Sequence, residues 1–94
     1  MIPAILPVYK RIDIPFERGE GCCLYTAAGE RYLDFGTGFA VCAFGHAPPR
    51  LIKALTAQAQ KLWHTSNVFR IPGQDRVAEL VKKLSFADTM FFTN

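Results

Sequence analysis

The sequence predicts an α+β segment: a β-hairpin or the last strands of a small meander, two amphipathic helices, and one strand near the last residue. Three observations predict it. Tyr25 and Tyr32 bracket a turn signal ending in Gly29, and apolar and polar residues alternate in part through 31–35. Residues 49–63 and 74–84 repeat apolar side chains at helical spacing. The stretch "TMFF" has the β-branched and aromatic content of a buried strand, yet no parallel partner is in sight. The chain therefore reads as part of a larger α/β domain, stopped at its first strand.

Each element follows from local chemistry. Residues 1–15 contain Pro3, Pro7 and Pro15 and read as an extended arm without a core of its own. The opening "MIPAILPVYKR" lacks the layout of a signal peptide, because Lys10-Arg11 follows the apolar stretch and two prolines interrupt it. No run approaches the length of a membrane span, so a soluble, cytoplasmic protein is expected. The pieces "FERGEG", "CCLY", "TAAG" and "ERYLDF" supply the hairpin.

Then comes "DFGTGFAVCAFGHAPP", residues 34–49, an apolar run broken by Gly36, Gly38 and Gly45. Glycine weakens both helices and strands, so this is either an awkward core segment or a loop that must approach something closely. Pro48 or Pro49 suits the first turn of the next helix, whose apolar face is Ile52, Leu55, Ala59 and Leu62. Pro72-Gly73 marks the start of the second helix, which carries Val77, Leu80, Val81 and Leu84 on one face.

Composition excludes several classes of function. With 94 residues there is room for one domain at most. Half the residues are hydrophobic, which argues against disorder throughout. The net charge of +3 is spread among interspersed acids and bases, which is no nucleic-acid footprint. The cysteines, Cys22, Cys23 and Cys42, have no zinc spacing and read as reduced thiols packed as small hydrophobes.

No complete catalytic constellation emerges from the residues. "GTGFAV" lacks the third glycine of a dinucleotide fingerprint, since Val41 stands there, and no Walker lysine-serine follows a glycine cluster. His46 and His64 are too isolated for a metal site and read as hydrogen-bonding loop or cap residues. Thr65 and Ser66 have His64 beside them but no third member of a triad. Lys53, Lys61, Lys82 and Lys83 fall on predicted helices, without the desolvated setting of an imine-forming lysine.

The stretch "GEGCCLYTAAGERYLDFGTGFAVCAFGHAPPRLIKALTAQAQKLWHTSNVF" resembles the N-terminal part of class III pyridoxal-phosphate-dependent aminotransferases. The pieces that carry the resemblance are a "G.G..LYD..G..YLDF" hairpin, the glycine-rich loop, a "GH.HP" helix start, "SN.F" and a strand ending "FF.NSG". It extends from Phe16 to Asn94. Two departures are visible: Thr26 stands where Asp is usual, and Pro48 replaces the second histidine of "GH.HP". The second change touches how the helix is capped.

The resemblance implies a fold-type I transferase. Residues 1–15 would be an arm, 16–70 the N-terminal part of the small domain with an active-site loop, and 71–94 a helix and first strand of the large cofactor-binding domain. It implies transfer of the δ-amino group of N-acetylornithine to 2-oxoglutarate through pyridoxal phosphate, in arginine biosynthesis, by a homodimer. It places Gly38 and Phe39 near the substrate and Ser66 and Asn67 on a second segment near the dimer interface. The alternative is that Gly36 and Gly38 only make a tight turn and Phe39 is core.

The family's phosphate-holding amides, ring-stacking aromatic, aspartate, arginine and imine lysine would all lie beyond Asn94. No catalytic or cofactor-binding residue is therefore expected among these 94, nor a metal site, and the chain alone should be inactive and hold no cofactor. No nucleic-acid or membrane partner is expected. Two rival readings are another class III enzyme with a different ω-amine, and a non-catalytic dimerisation module. A continuing reading frame with "SG" and a later lysine-bearing strand would separate an enzyme from a module.

Overall fold

The computed structural model describes residues 2–94, in which β1 (Phe16–Glu20), β2 (Cys23–Thr26), β3 (Arg31–Leu33), α1 (Thr37–Ala40), α2 (Pro49–Ala59) and α3 (Pro72–Leu84) follow in order. The chain divides into two compact units, one up to Thr56 and one from Ala57. Residues 2–15 precede the first strand and form no helix or strand.

The first unit is built on a meander. Its sheet has the order β1-β2-β3, antiparallel throughout. Gly21, at φ 55°, opens the two-residue connection between the paired residues Glu20 and Cys23. The second turn closes where the Gly29 N–H donates to the Thr26 carbonyl at 2.9 Å. Thr26 is the one buried residue among those described, 9% exposed. Its Oγ1 accepts from the Glu30 N–H at 3.2 Å and donates to Glu30 Oε2 at 3.3 Å. The departure at this position thus keeps an oxygen that ties the turn. On the sheet, the Arg18 guanidinium lies 3.7 Å over the ring of its cross-strand partner Tyr25, and Phe16 of β1 meets Tyr32 of β3 edge-on with centroids 5.4 Å apart.

The helices form where the spacing predicts them, with different limits. α2 ends at Ala59, not at residue 63. Beyond it the Trp63 indole N–H donates to the Ala59 carbonyl at 2.6 Å, satisfying one of the helix's last acceptors, and Gln58 Nε2 donates to the Leu62 carbonyl at 2.9 Å past the helix end. α3 starts at Pro72, where a proline at the first position loses no helical hydrogen bond. Asp75 in its first turn and Lys82 and Lys83 in its last complement the helix dipole.

One expected element is absent. Residues 89–92, "TMFF", form no strand. A strand needs a neighbour for its N–H and C=O groups, and none of the described strands pairs with this segment. The composition of a strand is present without its partner.

Among the described residues no hydrophobic side chain is buried. The apolar stripes of α2 and α3 are exposed, including Leu55 at 71% and Leu80 at 55%. Fully burying a leucine is worth roughly 1.5–3 kcal/mol, so these faces hold stabilisation not realised within the chain. No described helix is long and apolar enough to cross a membrane.

Candidate functional site

The glycine-rich segment between Asp34 and His46 is a closed loop, not a core segment. Its two ends are fastened to the β1–β2 turn. The Asp34 N–H donates to the Cys22 carbonyl at 2.8 Å. The His46 N–H donates to the Gly21 carbonyl at 2.8 Å, and the Gly21 N–H returns a bond to the His46 carbonyl at 3.2 Å.

Side chains fasten the same two ends to each other. Asp34 Oδ2 lies 2.6 Å from His46 Nε2, with the side chains 13% and 18% exposed. A carboxylate can only accept, so Nε2 carries the proton in this bond. Asp34 Oδ1 accepts from the Gly36 N–H at 3.0 Å and from the Thr37 N–H at 2.9 Å. The Thr37 amide, then the His46 ring, hold the Asp34 carboxyl below its ordinary value of 3.8, against the opposing effect of burial.

Inside this frame the backbone turns left-handed. Thr37, Gly38, Phe39 and Ala40, the residues of α1, have φ of 49°, 62°, 58° and 64°. Gly36 and Val41, on either side, are right-handed. Left-handed turns cost roughly 1–2 kcal/mol for each non-glycine residue, so Thr37, Phe39 and Ala40 together store on the order of 3–6 kcal/mol. The turn is held by the Val41 and Cys42 N–H groups, both 2.9 Å from the Thr37 carbonyl, and by the Ala40 N–H, 3.1 Å from Thr37 Oγ1. Strain of this kind persists only where surrounding contacts over-determine it, and it concentrates at functional sites.

The structure sorts the glycines by what they do. A Cβ at Gly38 would meet nothing closer than Val41 Cβ at 3.8 Å, so this glycine supplies conformation, not clearance. Clearance belongs to Gly45, whose Cβ would lie 2.8 Å from the Gly21 carbonyl oxygen, and to Gly19, whose Cβ would lie 2.5 Å from His46 Cβ. Within the chain, the close approaches are made by Gly19 and Gly45 against the loop's closing ends.

The site residues predicted from sequence fall in two places. Gly38 and Phe39 sit in the left-handed turn of the first unit, and the Phe39 side chain is 100% exposed within this chain. Ser66 and Asn67 belong to the second unit, both exposed in a turn where the Phe69 N–H donates to the Ser66 carbonyl at 3.0 Å. That unit has an open cleft of about 610 Å³ lined by Gln58, Lys61, Trp63, His64, Gln74 and Arg76 among others; Ser66 and Asn67 do not line it.

Sequence reasoning missed the Asp34–His46 pair and Gly19. A histidine twelve residues after an aspartate carries no spacing signal, and only the closed loop brings them together. The cysteines are free, and Cys22 is exposed, so it is not packed as a small hydrophobe. Among the described residues no group of His, Cys, Asp or Glu could hold a metal ion. Lys10, Lys53, Lys61, Lys82 and Lys83 are all exposed, so none has the desolvated setting that an imine with an aldehyde cofactor requires. The residues present do not by themselves form a pyridoxal phosphate site.

The meander, closed loop and two helices define a recognisable class. Residues 6–94 match the family Aminotransferase class-III, and the chain belongs to that family. It is 56% identical over 94 residues to the acetylornithine aminotransferase of Rhodobacter capsulatus, a match covering 100% of this chain and 24% of that protein. The crystal structure of N-acetylornithine aminotransferase from Stenotrophomonas maltophilia superposes with a TM-score of 0.81 at 42% identity, covering 92% of this chain and 24% of that one. An ornithine aminotransferase from Toxoplasma gondii, crystallised with partial occupancy of PLP at its active site, shares the fold with a TM-score of 0.85 at 24% identity, over 92% and 20% of the two chains. The chain spans about a quarter of the length of these relatives, in keeping with a segment of a fold-type I transferase.

Proposed function

We propose that these residues serve as the N-terminal part of an acetylornithine aminotransferase. The whole enzyme would move the δ-amino group of N-acetylornithine to 2-oxoglutarate, as a cytoplasmic homodimer in arginine biosynthesis. The observation that carries this is 56% identity to such an enzyme along the entire chain, with Asp34, the glycine loop and His46 folded into one closed unit. Pyridoxal phosphate, bound elsewhere in the enzyme, would supply the electron sink for the transfer. The residues described here would shape the substrate side.

In this reading residues 1–15 are an arm, 16–70 carry the small-domain start and the active-site loop, and 71–94 lead into the cofactor domain. Gly38 and Phe39 border the amine substrate, with Phe39 offering its exposed ring to the acylated chain. Ser66 and Asn67 lie on a second segment near the dimer interface. Loops on a rigid scaffold often carry such contacts.

A graft tests the reading. Residues 1–94 replace the matching quarter of the Rhodobacter capsulatus relative, and the gene is placed in an arginine auxotroph lacking acetylornithine aminotransferase. Growth without arginine is the expected result. A grafted protein that accumulates in soluble form but fails to support growth would overturn the assignment.

A further inference from the structure

We propose that Asp34 and His46 are positioning residues for the amine substrate: together they hold the 35–45 loop in its left-handed turn and so fix where Phe39 is presented. The proposal rests on the reading of Phe39 as substrate-proximal. It adds two residues that touch neither substrate nor cofactor.

The loop has a conformation that its own residues do not favour. Thr37, Phe39 and Ala40 all take positive φ, and Phe39 packs against nothing that could hold it there. Besides the turn's own bonds to Thr37, what opposes relaxation is one carboxylate with both oxygens engaged. Oδ1 takes the Gly36 and Thr37 amides, which sets the entry to the turn. Oδ2 takes the His46 ring at the far end of the loop, at 2.6 Å. His46 is itself fixed from two sides: its backbone pairs with Gly21, and its Cβ rests on Gly19, where any side chain would displace it. Entry, exit and turn are therefore one connected unit. A loop needed only to join β3 to α2 would not require a strained turn held from both ends.

The grafted enzyme, loaded with its cofactor, tests this with Asp34→Ala, Asp34→Asn, His46→Gln and Phe39→Ala, and with Lys83→Ala as control. The readouts are kcat/KM for N-acetylornithine and for 2-oxoglutarate measured separately, hydrogen exchange of the loop amides, cofactor absorbance and thermal melts. Asp34→Ala and His46→Gln should each lower kcat/KM for N-acetylornithine on the order of tenfold, the scale of a small misplacement. The value for 2-oxoglutarate and the cofactor absorbance should hold within about twofold, and exchange at Gly36, Thr37 and Ala40 should speed up. Asp34→Asn keeps an acceptor oxygen for the two amides but turns an NH2 donor toward the His46 ring, so it should recover only the part of the loss that comes from the amides.

Three results would overturn the proposal: melts that fall while amine kinetics stay normal, equal losses for both substrates, or unchanged loop exchange. If Phe39→Ala alters amine kinetics while the Asp34 and His46 variants do not, the positioning role fails and the substrate-proximal reading stands. If Phe39→Ala is silent, that reading fails and the proposal fails with it. Should Asp34→Ala not fold, His46→Gln and Asp34→Asn decide through exchange and kinetics alone.

Discussion

Replacing Gly45 with alanine separates clearance from conformation in the closed loop. Gly45 has φ 80°, and a Cβ there would lie 2.8, 3.1 and 3.2 Å from the O, C and Cα of Gly21. Those atoms are backbone, so they cannot swing aside as a flexible side chain would. The positive φ costs alanine roughly 1–2 kcal/mol. Opening the Gly21–His46 bridge removes two hydrogen bonds, each worth about 0.5–1.5 kcal/mol net. Gly45→Ala should therefore destabilise by roughly 2–5 kcal/mol. Gly38→Ala is the matched comparison. Its φ is 62°, but its nearest neighbour would be Val41 Cβ at 3.8 Å, so only the conformational cost applies. That is roughly 1–2 kcal/mol. Thermal melts of the grafted enzyme, followed by circular dichroism, should show the Gly45 variant shifted at least twice as far as the Gly38 variant, at about 2 °C per kcal/mol for a long chain. Equal shifts, or a larger one for Gly38→Ala, would refute the claim that the loop closes by backbone contact at Gly45.

Further expectations follow from the same geometry. Gly19→Ala isolates the steric contact with His46, so it should lower stability and mimic His46→Gln in loop exchange; a variant indistinguishable from wild type in both would contradict the 2.5 Å clearance. Asp34 has its folded pKa lowered, so its stabilising effect is complete above the ordinary value of 3.8 and is lost as pH falls through the lower folded value. The difference in melting temperature between wild type and Asp34→Asn should accordingly shrink below that value, and a gap that stays constant from about pH 7 to about pH 3 would contradict it. The isolated chain, with no buried hydrophobic side chain among the described residues, should bind an apolar dye and lack a sharp melt; a cooperative transition from a monomer is the contrary result. Its exposed lysines should give scattered, unsaturable labelling with pyridoxal phosphate and borohydride, whereas one lysine labelled stoichiometrically would show a site that the structure lacks.

Much of the local structure was legible because single residues encode it. Gly29 at the hairpin turn, Pro72 at the start of α3 and the apolar spacing of Val77, Leu80 and Leu84 each act within a few residues. The end of α2 was overrun because Leu62 continues the apolar pattern, while Trp63 folds back on the Ala59 carbonyl. "TMFF" shows the limit of propensity: the residues suit a strand, but strand formation depends on a neighbour. The loop was recognisable as unusual from its glycines, yet its conformation was hidden. Thr37, Phe39 and Ala40 are not residues that announce positive φ, and the Asp34–His46 bond depends on the loop closing over the hairpin. The residue types of the candidate site were visible, whereas the frame that holds them is a tertiary feature.

The central claim is that these residues do the work of the N-terminal quarter of an acetylornithine aminotransferase, with Phe39 at the amine. Steady-state kinetics of the purified graft, with N-acetylornithine and with unacetylated ornithine as competing amines, test it most directly. The account predicts kcat/KM for N-acetylornithine within about tenfold of the unmodified relative, a preference for the acylated amine, and a loss of that preference in Phe39→Ala. A cofactor-loaded, folded graft that turns over neither amine, or whose preference is untouched by Phe39→Ala, would contradict it.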